Sequence, residues 1–279
     1  RAARGVALLA LVPLLLLGMV AGLRPAGDPL LRAKPFHPAA QGARGESYSV
    51  VIDAGSTGSR VHIFKFAPGP GGGALELESD TFEQLKPGLS SYSGDPAAAA
   101  ESLQPLFSRA LQVVPEALQA QTAVQVRATA GLRLLPGESA EDILRAVRES
   151  LGALPFASDA ASVSIMDGMD EGAFMWLTMN YYLGTLDGDV QGTVSSIDLG
   201  GGSVQQAYAV PPEVARRAPK DYIRTVRARG AAYDVYVHSY LGYGLMASRA
   251  EVLKRGAGGS ACVLEGFAGV YAYAGEEYA

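Results

Sequence analysis

At 279 residues, 48% hydrophobic and 18% charged, the chain is long enough to bury a sizeable core, in one large or two small domains. A formal net charge of −5 with no basic patch argues against a nucleic-acid binder. A single cysteine, Cys262, cannot close an internal disulfide, and with His37, His62 and His238 it offers no zinc-ligand spacing.

Residues 5–23 form an uncharged apolar run preceded by Arg1 and Arg4. As a helix these residues reach roughly 28 Å, close to the thickness of a bilayer core. Positive charge ahead of the run predicts a cytoplasmic N-terminus, a single-pass type II anchor, and everything after Leu23 in a lumen or outside the cell. A cleaved signal peptide is the competing reading, although its apolar region is usually shorter. Residues 24–46 are rich in Pro, Gly and Ala without periodicity and read as a tether.

From there short apolar strands and helical patterns alternate, which predicts an α/β fold. Residues 48–52 and 61–66 read as two strands flanking a Gly/Ser turn, a hairpin, with a third strand over 75–84. Helices are expected over 101–118 and 140–151, the second with Ile143, Leu144, Val147 and Leu151 on one face. Strands at 124–128 and 163–166 follow, then a helix over 171–183 containing Phe174, Trp176 and Leu177. Strands at 194–197 and 204–210 then repeat the strand–Gly loop–strand pattern of the beginning.

That repeat organises the chain. VVIDAGSTGS and SSIDLGGGSV share an apolar strand, an Asp, one residue, a Gly and small residues, with Asp53 and Asp198 145 positions apart. One domain length separates them, so two homologous lobes (47–190 and 191–279) offering one loop each to a shared cleft is the economical reading. Gly55, Ser56, Thr57, Gly58 and Ser59 supply close backbone N–H groups and hydroxyls for a phosphate, and Arg60 a cation. Gly200, Gly201, Gly202 and Ser203 form the second loop. No Gly-Lys-Ser/Thr follows, and each Asp precedes its glycines, so neither loop is a Walker A or dinucleotide motif.

A carboxylate beside a phosphate is repulsive unless a cation lies between them. Asp53 and Asp198 are therefore the candidate metal pair, for Mg²⁺ or Ca²⁺ with oxygen ligands, often through water. The lesser reading is that each Asp only caps its own turn, as in many Asp-Gly loops. Between the loops lies Asp167-Gly168-Met169-Asp170-Glu171-Gly172, whose Glu171 is accessible enough to deprotonate a water for in-line attack on phosphorus. Taken alone it is more often a favourable charge in a first helical turn. Thr129 ends a strand before a turn, where its hydroxyl suits holding that water.

The segments VIDAGSTGSR, ATAGLRLLP, DEGAFMWLTMNYYLG and IDLGGGSVQ resemble, in order, the first four conserved regions of the apyrase, or nucleoside triphosphate diphosphohydrolase, family. The stretch 233–254 is similar to plant apyrases, so the resemblance runs from about Tyr48 to the end. It implies an actin-like ATPase fold of two ribonuclease-H-like lobes. It also implies metal-dependent release of phosphate from nucleoside tri- or diphosphates, with Ca²⁺ or Mg²⁺. By the same resemblance Glu171 matches the catalytic base, Asp53 and Asp198 the aspartates that hold the metal through water, and Thr129 and Gln205 polar residues that assist the water and metal. Ser56, Thr57, Gly58 and Ser59 match the first phosphate loop, Gly201, Gly202 and Ser203 the second, and Trp176 a packing residue.

Two departures follow. Animal cell-surface triphosphatases typically carry His where this chain has Gly58; Ser-Thr-Gly-Ser-Arg resembles plant apyrases and the diphosphate-preferring Golgi branch. The family's fifth motif and base-stacking residues are expected beyond Ala279, as is a disulfide partner for Cys262, so the second lobe is expected to be incomplete here. The rival readings are a catalytically silent, membrane-anchored nucleotide-binding fragment and another actin-like phosphotransferase, such as a sugar kinase or exopolyphosphatase. Glu-Gly-x-x-x-Trp and the anchor speak against the latter.

Overall fold

The computed structural model describes residues 45–69, 75–256, 264–266 and 268–278. The expected membrane span, nearly all of the tether, and Cys262 lie outside the described residues, and no helix among these is long and apolar enough to cross a membrane.

The first sheet is built on β1 (Ser47–Ala54), whose SYSVVIDA run is buried on both faces, as suits a central strand. β2 (Ser59–Pro68) pairs with it antiparallel, the expected hairpin, and β3 (Leu75–Leu85) extends that edge. On the other side β4 (Ala123–Ala128) and β5 (Val163–Ile165) run parallel, completing the order β3-β2-β1-β4-β5. Because side chains alternate along a strand, Val50, Ile52 and Ala54 face the main core and Val51 the opposite side with Phe64 and Phe66.

The single helix expected over 101–118 is three pieces: α1 (Pro96–Ser102), α2 (Gln104–Val113) and α3 (Glu116–Gln119). Pro105 starts α2, and Val114, preceding Pro115, is extended (φ −83°, ψ 119°). The proline ring disfavours helical conformation in the residue before it, so the chain breaks there. α4 (Ala130–Arg133) is one short turn. α5 (Ser139–Gly152) buries the expected stripe of Ile143, Leu144, Val147 and Leu151 against the core of β1, β2 and β4 together with Leu106 and Phe107 of α2.

α6 (Gly168–Leu183) starts three residues earlier than the apolar pattern suggests, because Asp167 caps it, its carboxylate accepting from Met169 N at 2.8 Å. The helix precedes the boundary expected at 190, and its core is shared with the second sheet. Ala173, Trp176 and Leu177 pack with Ala207, Tyr233, Val235 and Val237. Trp176 is fully buried, its ring 5.5 Å from that of Tyr233.

That second sheet is antiparallel, in the order β6-β7-β9-β8, made of β6 (Ser196–Leu199), β7 (Ser203–Val210), β8 (Ile223–Ala228) and β9 (Ala231–Leu241). β6 begins two residues later than expected. The buried Asn180 of α6 donates to Val194 O (3.0 Å) and accepts from Val194 N (2.8 Å), which takes that backbone out of the ladder. α7 (Pro212–Ala215) is one turn, α8 (Leu245–Arg255) follows β9, and β10 (Tyr271–Tyr273) and β11 (Glu276–Tyr278) form a separate hairpin. The strand–Asp–Gly loop–strand repeat is thus realised twice as an antiparallel hairpin, with Asp53 opposite Arg60 and Asp198 opposite Gln205.

Candidate active site

The two hairpin loops meet across one cleft of about 310 Å³. Its walls include Asp53, Ser56, Thr57, Arg60, Thr129, Glu171, Asp198 and residues 200–203. Residues from both halves of the repeat and from the helix between them therefore share one space, although Asp53 and Ser203 are 150 positions apart in sequence.

Close approach sets the residue types of the loops. A Cβ on Gly201 would collide with Ser56 Oγ and come within 2.8 Å of Thr57 Cγ2, so the second loop reaches the first only because position 201 lacks a side chain. The carbonyls of the second loop are already engaged behind the cleft. Gly200 O accepts from Leu245 N (2.9 Å), Gly201 O from Met246 N and Ala247 N (2.8 and 3.0 Å), and Gly202 O from Gly242 N (2.9 Å). Gly200 N is engaged as well, donating to Ser203 O (3.0 Å), so the N–H groups of Gly201 and Gly202 are the donors left to meet an anion.

Not every expected residue is on the cleft wall. Gly58 and Ser59 are buried behind the first loop, where a Cβ on Gly58 would come within 2.5 Å of Leu85 O. Arg60 does line the cleft, where it pairs with Asp53 (Nη1 to Oδ2, 3.1 Å), because β1 and β2 place the two directly opposite. Gln205 is buried under the floor, its Nε2 3.1 Å from Glu171 Oε2, 2.6 Å from Ser203 Oγ and 2.9 Å from Ser239 Oγ. Thr129 occupies the N-cap position of α4 without a side-chain capping bond, and the residue lines the cleft.

The electrostatics follow from burial. Removal from water pushes the Glu171 carboxyl up to about 7; Arg133 opposes this, and Asp198 and Asp53 add to it. Burial likewise raises Asp53, against the pull of Arg60, and raises Asp198, which Arg60 also counters. Three carboxyls thus crowd one cleft with Arg60 and Arg133 as counter-charges. Sequence reasoning missed the second of these. Arg133 Nη2 is ion-paired to Glu171 Oε2, and its place in Ala-Thr-Ala-Gly-Leu-Arg carried no signal of a partner 38 residues away. It also missed Arg127 on the cleft wall, whose guanidinium is tied to the carbonyls of Ala161 and Ser162 (3.0 and 3.1 Å).

Do these residues fit a divalent cation? Among the described residues no cluster of three or more His, Cys, Asp or Glu forms a ready cage. Two part-buried aspartates on facing loops, each disfavoured as an anion, suit a hard cation that keeps most of its water. The Gln205 Oε1 atom is buried without a hydrogen-bond partner, an oxygen suited to an ordered water. The donor set fits.

The fold is mixed α/β, with two hairpins that present Asp-headed small-residue loops to one cleft and a carboxylate of raised pKa between them. Residues 40–278 match the GDA1/CD39 (nucleoside phosphatase) family, and the chain belongs to it. It is 48% identical over 240 residues to a nucleoside-triphosphatase of Pisum sativum, covering 83% of this chain and 53% of that one. To Apyrase 1 of Arabidopsis thaliana it is 45% identical, covering 87% and 53%. To ectonucleoside triphosphate diphosphohydrolase 5 of Gallus gallus it is 42% identical, covering 74% and 48%. The chain therefore spans about half the length of the curated relatives it matches. Among solved structures, nucleoside triphosphate hydrolases from Neospora caninum superpose with a TM-score of 0.54 at 19% identity, over 76% of this chain and 47% of that one, a likeness of fold.

Proposed function

We propose that this chain carries the phosphate-handling end of an apyrase-type site that hydrolyses nucleoside tri- or diphosphates and releases inorganic phosphate. The observation that carries the reading is the placement of Glu171, its carboxyl raised to about 7, in one cleft with both Asp-Gly loops. A base of that pKa is matched to accepting a proton from water near neutral pH. The names of the relatives, a nucleoside-triphosphatase and apyrases, support the substrate class.

In this reading Ser56, Thr57, Gly201, Gly202 and Ser203 hold the terminal phosphates through N–H and hydroxyl donors, and Gly58 and Ser59 shape the first loop from behind. Arg60 keeps the two aspartates from repelling each other. Asp53 and Asp198 would hold Ca²⁺ or Mg²⁺ through water. Bound there, the ion supplies charge neutralisation of the phosphates. Thr129 and Gln205 orient the attacking water, and Glu171 removes its proton. The order β3-β2-β1-β4-β5, three antiparallel strands and then two parallel ones, supports an actin-like arrangement of ribonuclease-H-like lobes. The apolar run at 5–23 with its leading arginines supports a type II anchor, placing the cleft in the Golgi lumen or outside the cell.

The test is phosphate release from ATP, ADP, GDP and UDP by the protein expressed from its complete reading frame, with Ca²⁺, with Mg²⁺ and with EDTA. Release with either ion and its loss in EDTA is the expected result. Nucleotide binding without any release overturns the hydrolase assignment, and full activity in EDTA overturns the role given to Asp53 and Asp198.

A further inference from the structure

The carboxylate of Glu171 is anchored by one oxygen only. Arg133 Nη2 and Gln205 Nε2 (3.1 Å) both donate to Oε2, and among the described residues no hydrogen bond engages Oε1. Arg133 is the last residue of α4, on the first sheet's side, while Glu171 lies in the first turn of α6, which packs on the second sheet. The ion pair therefore ties the two halves together at the floor of the cleft. Both side chains are only 14% exposed, so the pair is shielded from the water that weakens surface ion pairs.

The backbone makes room for this contact. A Cβ on Gly168 would collide with Arg133 Nη1 on one side and with Ser239 Oγ on the other. Ser239 is also the hydroxyl beside Gln205 Nε2 (2.9 Å). Position 168 is thus empty of side chain where both donors to Oε2 are seated. A guanidinium in this place cannot serve as a base or as a nucleophile, and it is already engaged with the carboxylate rather than with the loops.

We propose that Arg133 is a positioning residue: with Gln205 it holds Glu171 by Oε2, so that Oε1 is the oxygen that takes the proton of the attacking water. The step balances. A water O–H bond breaks and its proton goes to Oε1, the water oxygen bonds to the terminal phosphorus, which becomes inorganic phosphate, and the bridging P–O bond breaks with its electron pair leaving on the departing nucleoside di- or monophosphate. A carboxylate free to rotate would present either oxygen at varying distance, and misplacement of this size slows a reaction that depends on alignment. This rests on the hydrolase reading above, with Glu171 as the base.

The experiment compares wild type with Arg133→Met, Arg133→Lys and Glu171→Gln, measuring kcat and KM for phosphate release across pH 5–9. Of the charged groups acting on Glu171, Asp198 and Asp53 raise its pKa and Arg133 lowers it, so removing Arg133 raises it further, with Arg60 left as the nearby cation of the cleft. Arg133→Met is expected to lower kcat about tenfold or more with KM little changed, and to move the acidic limb of the kcat profile upward by about one pH unit. Arg133→Lys keeps the charge but not the planar fork, so it is expected to keep the limb near its wild-type place while kcat still falls. A purely structural tie predicts a different result: lower thermal stability with kcat and the limb unmoved in the folded protein. That outcome in Arg133→Met, or in Arg133→Lys should the first variant not fold, overturns the proposal. Wild-type activity in Glu171→Gln instead overturns Glu171 as the base, and absence of any phosphate release by the wild type overturns the hydrolase reading, so the failures are told apart.

Discussion

Replacing Glu171 by Gln tests the central assignment. The side chain keeps its shape and an oxygen with which to accept from Arg133, so packing around α6 should survive. What is lost is a proton acceptor. Removing a positioned general base slows such reactions by about 10²–10⁴-fold, and the variant should fall in that range with nucleotide affinity nearly unchanged. The raised carboxyl also fixes the pH dependence. With its pKa pushed from 4.5 to about 7 by burial, wild-type activity should decline about tenfold per unit below pH 7, where an unperturbed Glu would hold it level to about pH 5. The residual activity of Glu171→Gln should lack that limb.

Stability follows with the opposite sign to a salt-bridged acid. The folded protein binds the Glu171 proton more tightly than the unfolded chain, so this group's contribution is fully present below about pH 4.5 and is lost as pH rises through about 7. The shift corresponds to at most about 3 kcal/mol. Glu171→Gln should therefore narrow the stability difference between pH 5 and pH 8 measured by urea unfolding. Wild-type turnover in the variant, or a wild-type acidic limb below pH 5.5, refutes the reasoning.

Two further predictions concern the scaffold. Gly201→Ala places a methyl group against Ser56 and Thr57; overpacking of this kind costs about 1–3 kcal/mol, and calorimetric titration with a non-hydrolysable nucleotide should show Kd raised about tenfold. An unchanged Kd would mean that the two loops do not act on the same phosphates. Trp176→Ala removes the fully buried ring that packs on Tyr233 and should lower unfolding free energy by about 3–5 kcal/mol; a loss below 1 kcal/mol would show that α6 is not held on the second sheet by this contact.

Local pattern was enough for the hairpins, the amphipathic stripe of α5 and the two Asp-Gly loops, because each is a short-range relation between neighbouring residues. Some misreadings were local too. Pro105 and Pro115 stood in plain view and break one expected helix into three, while the capping by Asp167 extends α6 backward. The late start of β6 was not legible, since it depends on Asn180 reaching Val194 from another element.

The sequence by itself determined that two Asp-headed loops of small residues exist, one domain length apart, with an acidic helix start between them. Only the tertiary structure decided how they act on one another. It paired Arg60 with Asp53 on the cleft wall, set Gly58 and Ser59 behind the cleft, and seated α6 on the second sheet. It also brought Arg133 to Glu171. The reason is that ion pairing and desolvation depend on which surfaces dock, and residues 38 or 145 positions apart acquire a distance only when the two sheets have packed.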